Sequence, residues 1–375
     1  MGLNESRGYM NIPYVDIAKQ NIQIKDQLLR AAEKVIDHGQ LINGPEVKIL
    51  EESLANYLGV NNVIGVSNGT AALYLTMRGL GIGPGDEVIT VANSYLATVS
   101  SIVLTGATPV LIDVDDSMNM NPNLIEPAIS SKTKAILVVH LTGKPAALSD
   151  IEYISKRYGL FLIEDAAQAI GAEYNSRKVG GFGVAGCFSF HPLKNLAALG
   201  DGGFISTNDY ELAQWLRKAR NHGHPNRDEC DFWSFNMRLD TLQAAFLIEK
   251  LSLLEANTVE RIKLATTYRN RLKGTDITLP SENPYEKSVY HIFMIRSKKR
   301  DDLQAYLKTH GVEAKIHYPK PIHRLKSAEF TNLIYTNLEK TEEFSREILS
   351  LPIHPCLNTG SINDICDHIL EKIEK

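Results

Sequence analysis

Leu160-Phe161-Leu162-Ile163-Glu164-Asp165-Ala166-Ala167-Gln168 and, a little later, Cys187-Phe188-Ser189-Phe190-His191-Pro192-Leu193-Lys194-Asn195-Leu196 decide how this chain is read. The first stretch is a continuous apolar run, as in a strand covered on both faces, and it stops abruptly at two acids. The second is another apolar strand with a lysine shortly after its end. An amine just past one buried strand, with a carboxylate at the mouth of an earlier one, is what a pyridoxal phosphate enzyme needs. The amine forms a Schiff base with the aldehyde, and the acid keeps the pyridine nitrogen protonated. Taken singly, Lys194 would be a solvated surface group and Asp165 an N-cap before Ala166-Ala167. The company of Lys194 argues otherwise. Phe188, Phe190, Leu193, Leu196, Ala197 and Ala198 are apolar or small, so the amine is expected in a desolvated pocket that lowers its pKa.

Working outward, further apolar runs at 63–66, 87–91, 109–113 and 135–139 read as buried strands, with helical stretches between several of them. That alternation predicts parallel crossovers and a mostly parallel central sheet. Strands at 187–190 and 204–207 and a helix at 211–220 follow. Residues 239–273 read as one long helix bridging two units. Beyond it, a strand at 288–295, a helix at 301–310, a strand at 312–317 and a closing helix from 362 predict a second, smaller α/β domain. The expected division is a large domain, residues 1–250, and a small one, residues 251–375.

Asn68-Gly69-Thr70-Ala71-Ala72-Leu73 follows the first of these strands and opens a helix. An ordinary strand-to-helix turn would look the same. Glycine also permits close backbone approach, and unpaired amides at a helix N-terminus favour a phosphate dianion.

From Glu164 to Gly203 the chain closely resembles the DegT/DnrJ/EryC1/StrS family of sugar aminotransferases, fold-type-I pyridoxal phosphate enzymes that act on nucleotide-linked keto sugars. The likeness runs from Ile12-Pro13 to Ser350-Leu351-Pro352-Ile353-His354-Pro355. It implies that Lys194 carries the cofactor and later shuttles a proton, that Asp165 faces the pyridine nitrogen, and that Gln168 reaches the phenolic oxygen. Gly69, Thr70 and Ser189 become phosphate ligands, and Tyr95 stacks on the ring. Ser234-Phe235-Asn236-Met237-Arg238 matches the family's GYNxR, with Ser234 for glycine and Phe235 for tyrosine. By resemblance, Asn236 reaches the phosphate of the neighbouring subunit in a homodimer with shared sites. His317, Tyr318 and His323 fall in a segment near the family's sugar-binding cleft. L-Glutamate is the implied amino donor. Lys194-Asn195-Leu196 with Gly200-Asp201-Gly202-Gly203 looks like members that aminate C3 of a keto hexose, whereas C4 members more often show Gly-Glu-Gly-Gly. Dehydratases of the family replace the lysine by histidine, and a non-catalytic paralogue would be expected to lose Lys194, Asp165 or Gln168.

Composition closes off other classes. Forty basic against 44 acidic residues, interspersed along 375, leave a net charge of −4 and no basic footprint for nucleic acid or a membrane surface. No apolar run reaches the roughly 18 residues that span a bilayer. Met1-Gly2-Leu3-Asn4-Glu5-Ser6 is no signal peptide, and its loose fit to a myristoylation pattern through Gly2 and Ser6 is read as chance. Cys187, Cys230, Cys356 and Cys366 lack metal-like spacing and read as reduced, mostly buried thiols. His310, His317 and His323 match no ligand motif, so no metal is expected. A cytoplasmic transaminase is the resulting expectation.

Overall fold

In the computed structural model, which describes residues 11–374, the apolar runs of the sequence become strands of one sheet. The Gly2 and Ser6 segment lies outside the described residues. In chain order the strands are β1 (Asn62–Val66), β2 (Glu87–Val91), β3 (Thr108–Ile112), β4 (Thr133–Val139) and β5 (Phe161–Asp165). A small hairpin of β6 (Glu173–Tyr174) and β7 (Arg177–Lys178) precedes β8 (Ala185–Ser189) and β9 (Gly203–Thr207). Later come β10 (Glu286–Lys287), β11 (Phe293–Arg296), β12 (Ile334–Tyr335) and β13 (Ile348–Leu351). The large sheet has the order β1-β9-β8-β5-β4-β2-β3-β12. Only β9 runs against its neighbours; every other pairing in it is parallel. Parallel strands place their carboxyl ends along one edge, where ligands of open α/β sheets bind.

The continuous apolarity of these strands has its cause in two cores. Ile89, Ile136, Val138 and Leu162 pack into one cluster, while Ile64, Val88, Leu137 and Ile163 pack into another. Alternate residues of a strand face opposite ways, so both faces must be apolar when helices cover both.

Three expectations are corrected. Residues 239–273 form two helices, Thr241–Leu251 and Leu254–Leu272, broken at Ser252-Leu253. The first buries Ala245 and Phe246 against Leu28 and Val35, and the second sends Leu264, Tyr268 and Leu272 into a separate core. One straight helix could not serve both. The expected strand 288–295 survives only as β11, because Tyr290 takes a positive φ of 44° that interrupts extended backbone. Residues 312–317 make isolated pairings, Val312 with Ile12 and Lys315 with Ser350, instead of a continuous ladder. Residues beyond 250 also complete the large sheet. β12 pairs with β3, and Asp113 after β3 accepts bonds from the Lys340 and Thr341 amides at the start of helix Glu339–Glu347.

The carboxyl end of β5 carries the most heavily tied group in the sheet. The fully buried Glu164 accepts from the amides of Gly180 (2.7 Å), Phe182 (2.7 Å) and Gly183 (2.9 Å) and from His140 Nε2 (3.1 Å). Burial opposes its charge, but His140 and those amides outweigh it and hold the carboxyl below its ordinary value. Gly180, with φ +88°, lies so close to the Phe188 ring that a Cβ there would sit 2.3 Å from its tip. The loop thus locks β5 to β8.

Replacing Glu164 by glutamine leaves one acceptor oxygen for amides that now use two. Removing one partner of such a buried charge costs about 3–5 kcal/mol. Glu164→Gln is expected to lower the urea unfolding free energy of the cofactor-free protein by that amount, seen as a lower midpoint. A midpoint within experimental error of the wild type would show that the carboxylate does not hold the loop.

Candidate active site

A cavity of about 930 Å³ opens at the carboxyl ends of β1, β2, β4, β5 and β8. Each strand delivers side chains at or just beyond its last residue: Ser67 to Thr70 after β1, Ser94 and Tyr95 after β2, His140 after β4, Asp165 and Gln168 from β5, Ser189 and Lys194 from β8. Asn68 caps the helix that begins at Gly69 by accepting from the Ala71 amide (2.8 Å). Gly69, Thr70 and Ala71 of that first turn line the cavity together with Ser189. A Cβ on Gly69 would come within 2.9 Å of the Ser189 Cβ, so the backbone approaches here as only glycine allows.

Asp165 is 6 % exposed, and its environment is ordered by a relay absent from the sequence reading. Thr98 Oγ1 donates to Asp165 Oδ2 at 2.7 Å; having spent its proton, it receives one from Ser94 Oγ at 2.7 Å. The Ala167 amide donates to Oδ1 at 3.2 Å. Burial is the largest influence on Asp165 and pushes its carboxyl up, against the hydrogen bonds of Thr98 and Ala167 and the charge of Lys194. A buried carboxylate in that condition is stabilised by a cation placed against it.

Lys194 is half-buried on the cavity wall, and desolvation lowers its amine to about 8, with Asp165 acting in the opposite sense. The histidines around it are neutral for the same reason. Burial, followed by the charge of Lys194, lowers His191, takes His291 well below its usual value and takes His317 to about 4. His317 is held by Ser350 Oγ (2.9 Å). Gln168 Oε1 accepts from the Thr142 amide (2.7 Å), and its Nε2 donates to Tyr318 Oη (3.4 Å). The Tyr95 ring is 52 % exposed at the lip, 5.8 Å from that of Tyr318. Asn236 lines the same cavity within its own chain, because the Ser67 amide bonds Met237 O (2.9 Å) and fixes residues 235–238 beside the phosphate-type turn.

The structure does not bring His323 into this cavity. Its ring is buried elsewhere with Nε2 on Glu342 Oε1 at 3.0 Å, and Arg324 shares that carboxylate. Sequence reasoning also missed Ser94, Thr98, His140 and His291. Ser94 and Thr98 flank Tyr95, and their spacing of four across the start of helix Leu96–Thr105 was the available signal. Among the described residues no cluster of three or more His, Cys, Asp or Glu is placed to hold a metal, and no helix is long and apolar enough to cross a membrane. Cys187 and Cys366 are buried as expected, while Cys230 is exposed.

Residues 22–370 match the sequence model of the DegT/DnrJ/EryC1/StrS aminotransferase family. A Geobacillus stearothermophilus protein named pleiotropic regulatory protein is 41% identical over 368 residues, covering 96% of this chain and 98% of its own length. The UDP-2-acetamido-2-deoxy-3-oxo-D-glucuronate aminotransferase of Pseudomonas aeruginosa is 40% identical over 356 residues, covering 95% and 98%. The crystal structure of NtdA from Bacillus subtilis with bound cofactor PMP superposes with a TM-score of 0.91 at 29% identity, covering 99% of this chain and 87% of that one. The cavity fits such a cofactor. It offers an amide cradle that a Cβ would fill, a buried acid that favours a cation, and an amine of lowered pKa.

An amine near 8 gains its neutral, nucleophilic form as pH rises through that value. About a tenth is neutral at pH 7 and about nine tenths at pH 9, by ordinary titration. The rate at which cofactor-free protein captures pyridoxal phosphate, followed by stopped-flow absorbance, should rise about tenfold over that interval and then level off. A rate still climbing steeply beyond pH 10 would mean an ordinary, solvated lysine.

Proposed function

Because this chain belongs to the DegT/DnrJ/EryC1/StrS aminotransferase family and is a pyridoxal phosphate-dependent transaminase, we propose that it moves the amino group of L-glutamate onto the C3 ketone of a nucleotide-linked hexose. One observation carries the reading: the lowered amine of Lys194 and the buried carboxylate of Asp165 share one cavity with the amide turn at Gly69. Pyridoxal phosphate bound there supplies an aldehyde that exchanges amino groups and a ring that withdraws electrons from the adjacent carbon.

The chain's own groups do the rest. The amides of Gly69 and Thr70 and the hydroxyl of Ser189 bind the phosphate, and Asn236, which the resemblance assigned to the partner's phosphate, stands beside them in its own chain's cavity, in a protein that acts as a homodimer. Tyr95 covers the ring. Asp165, fixed by Thr98, holds a proton on the pyridine nitrogen; a carboxylate–cation contact at ~4 Å is worth ~4 kcal/mol at an effective dielectric of ~20. Gln168 is pinned by the Thr142 amide through its carbonyl and keeps its NH2 for the phenolic oxygen. Lys194 Nζ, once displaced, takes the proton from the donor's α-carbon and later delivers one to the sugar carbon that receives nitrogen. His317 and Tyr318 line the sugar side.

Amination at C3 is favoured by the 3-oxo sugar in the name of the Pseudomonas relative and by Gly200-Asp201-Gly202-Gly203. A purely regulatory role, as in the name of the Geobacillus relative, is disfavoured because the lysine, acid and glutamine of the chemistry are all present.

Holoenzyme given L-glutamate and a panel of nucleotide-linked keto sugars should form 2-oxoglutarate and a product with its amine on C3, assigned by NMR. An amine on C4 would reassign the regiochemistry. No sugar turnover, while glutamate alone still converts the bound cofactor, would reject the substrate class. Asp165→Asn should keep the cofactor through its phosphate yet lose turnover on the order of 100- to 1000-fold, the loss typical of a preorganised charge-stabilising group. Near-normal turnover would leave Asp165 a mere cap.

A further inference from the structure

His291 enters none of the roles assigned above, yet it lines the cavity beside Lys194. Its hydrogen bonding fixes which nitrogen carries the proton. Asn195 Nδ2 lies 3.1 Å from Val289 O, a carbonyl that can only accept, so the amide NH2 must face it. The amide oxygen is thereby turned to His291 Nδ1, 3.3 Å away. An oxygen acceptor there requires a proton on Nδ1. A neutral imidazole has one donor and one acceptor nitrogen, so Nε2 carries the lone pair. Among the described residues Nε2 has no hydrogen-bond partner, and it is not sealed from the cavity. Val289 is itself fixed by its amide on Gly143 O (2.9 Å), and the Ile292 amide bonds Thr142 O (3.2 Å). The imidazole therefore stands on a rigid support.

We propose that His291, with its tautomer set by Asn195, is a specificity-determining residue whose Nε2 accepts a hydrogen bond from a hydroxyl of the sugar close to the reacting carbon. This rests on the keto-sugar reading given above. The imidazole is flanked by Lys194, Arg261, His191 and His317, and burial keeps it neutral. A neutral acceptor in such company recognises a hydroxyl; it offers nothing to a carboxylate or phosphate. Two nearby acceptors are already engaged, Asp165 by Thr98 and Ala167 and Gln168 Oε1 by Thr142. Asn195 is a positioning residue, acting through His291 and not on the substrate.

The test is a ratio, so a general loss of activity does not blur it. For holoenzyme, kcat/KM is measured on the accepted keto sugar and on analogues lacking one hydroxyl at a time. The wild type should prefer one hydroxylated form over its deoxy analogue by roughly 10- to 100-fold, the range for a buried hydrogen bond left without its partner. In His291→Phe that preference should collapse to near unity, whatever the absolute rate. Asn195→Leu should weaken it in the same direction. Retained cofactor absorbance verifies that each variant is folded. A preference that survives in His291→Phe, or equal losses on every analogue, overturns the proposal and leaves His291 a structural group. Wild-type inactivity on every keto sugar also overturns it, but identifies the failure as that of the substrate reading.

Discussion

Glu164 and Asp165 are neighbours in the chain but face opposite ways at the end of a buried strand, and most of the site hangs on that alternation. The inward acid, Glu164, is saturated by three amides and His140 and ties the loop at 180–183 to β5. That loop leads directly into β8, which carries Ser189 at its end and Lys194 just beyond. The other acid, Asp165, faces the cavity with Thr98 on one oxygen. Two carboxylates side by side thus meet different fates. One is held below its ordinary pKa by a full shell of donors, and the other is raised by burial with fewer donors to offset it.

His140 shows how the support shell reaches the chemistry. Its Nδ1 accepts the Ala146 amide (3.1 Å), so Nε2 must donate to Glu164. Its own amide donates to Asp165 O (3.1 Å), fixing the backbone at the acid that faces the cavity. One residue therefore grips both acids, the first through its ring and the second through its backbone. His291 is ordered by the same logic on the far side of Lys194, where a carbonyl orients an amide and the amide orients an imidazole. In both cases a backbone atom with only one hydrogen-bonding role dictates the tautomer.

The lysine's pKa is lowered because its surroundings supply little countercharge. Apolar neighbours and neutral histidines remove water without replacing it by anions, and Asp165 alone pulls the other way. Desolvation wins, and the amine falls to about 8. The unfavourable state of both Lys194 and Asp165 in the bare cavity is what a cofactor with an aldehyde and a basic ring nitrogen relieves.

The sequence by itself determined the strands β1 to β5, β8 and β9 within two residues at each end. Apolar runs of that length, ended by polar residues, have few other ways to be buried. Lys194, Asp165, Gln168, Gly69 and Ser189, candidates from the sequence and its resemblance, each stand at or just past a strand end, and the structure gathers them in one cavity. Only the tertiary structure decided the rest. The break at Ser252-Leu253 follows from two cores that lie apart in space, while the helical pattern runs through it unchanged in sequence. Tyr290 ends the expected strand because its backbone turns to place Val289 and Ile292 on Gly143 and Thr142, nearly 150 residues earlier in the chain. His323 read as a cleft residue from its neighbours, yet Glu342 on another helix claims its ring. His140 and His291 were illegible for the same reason. An imidazole acquires a role only from what lies across from it, and those partners are distant in sequence.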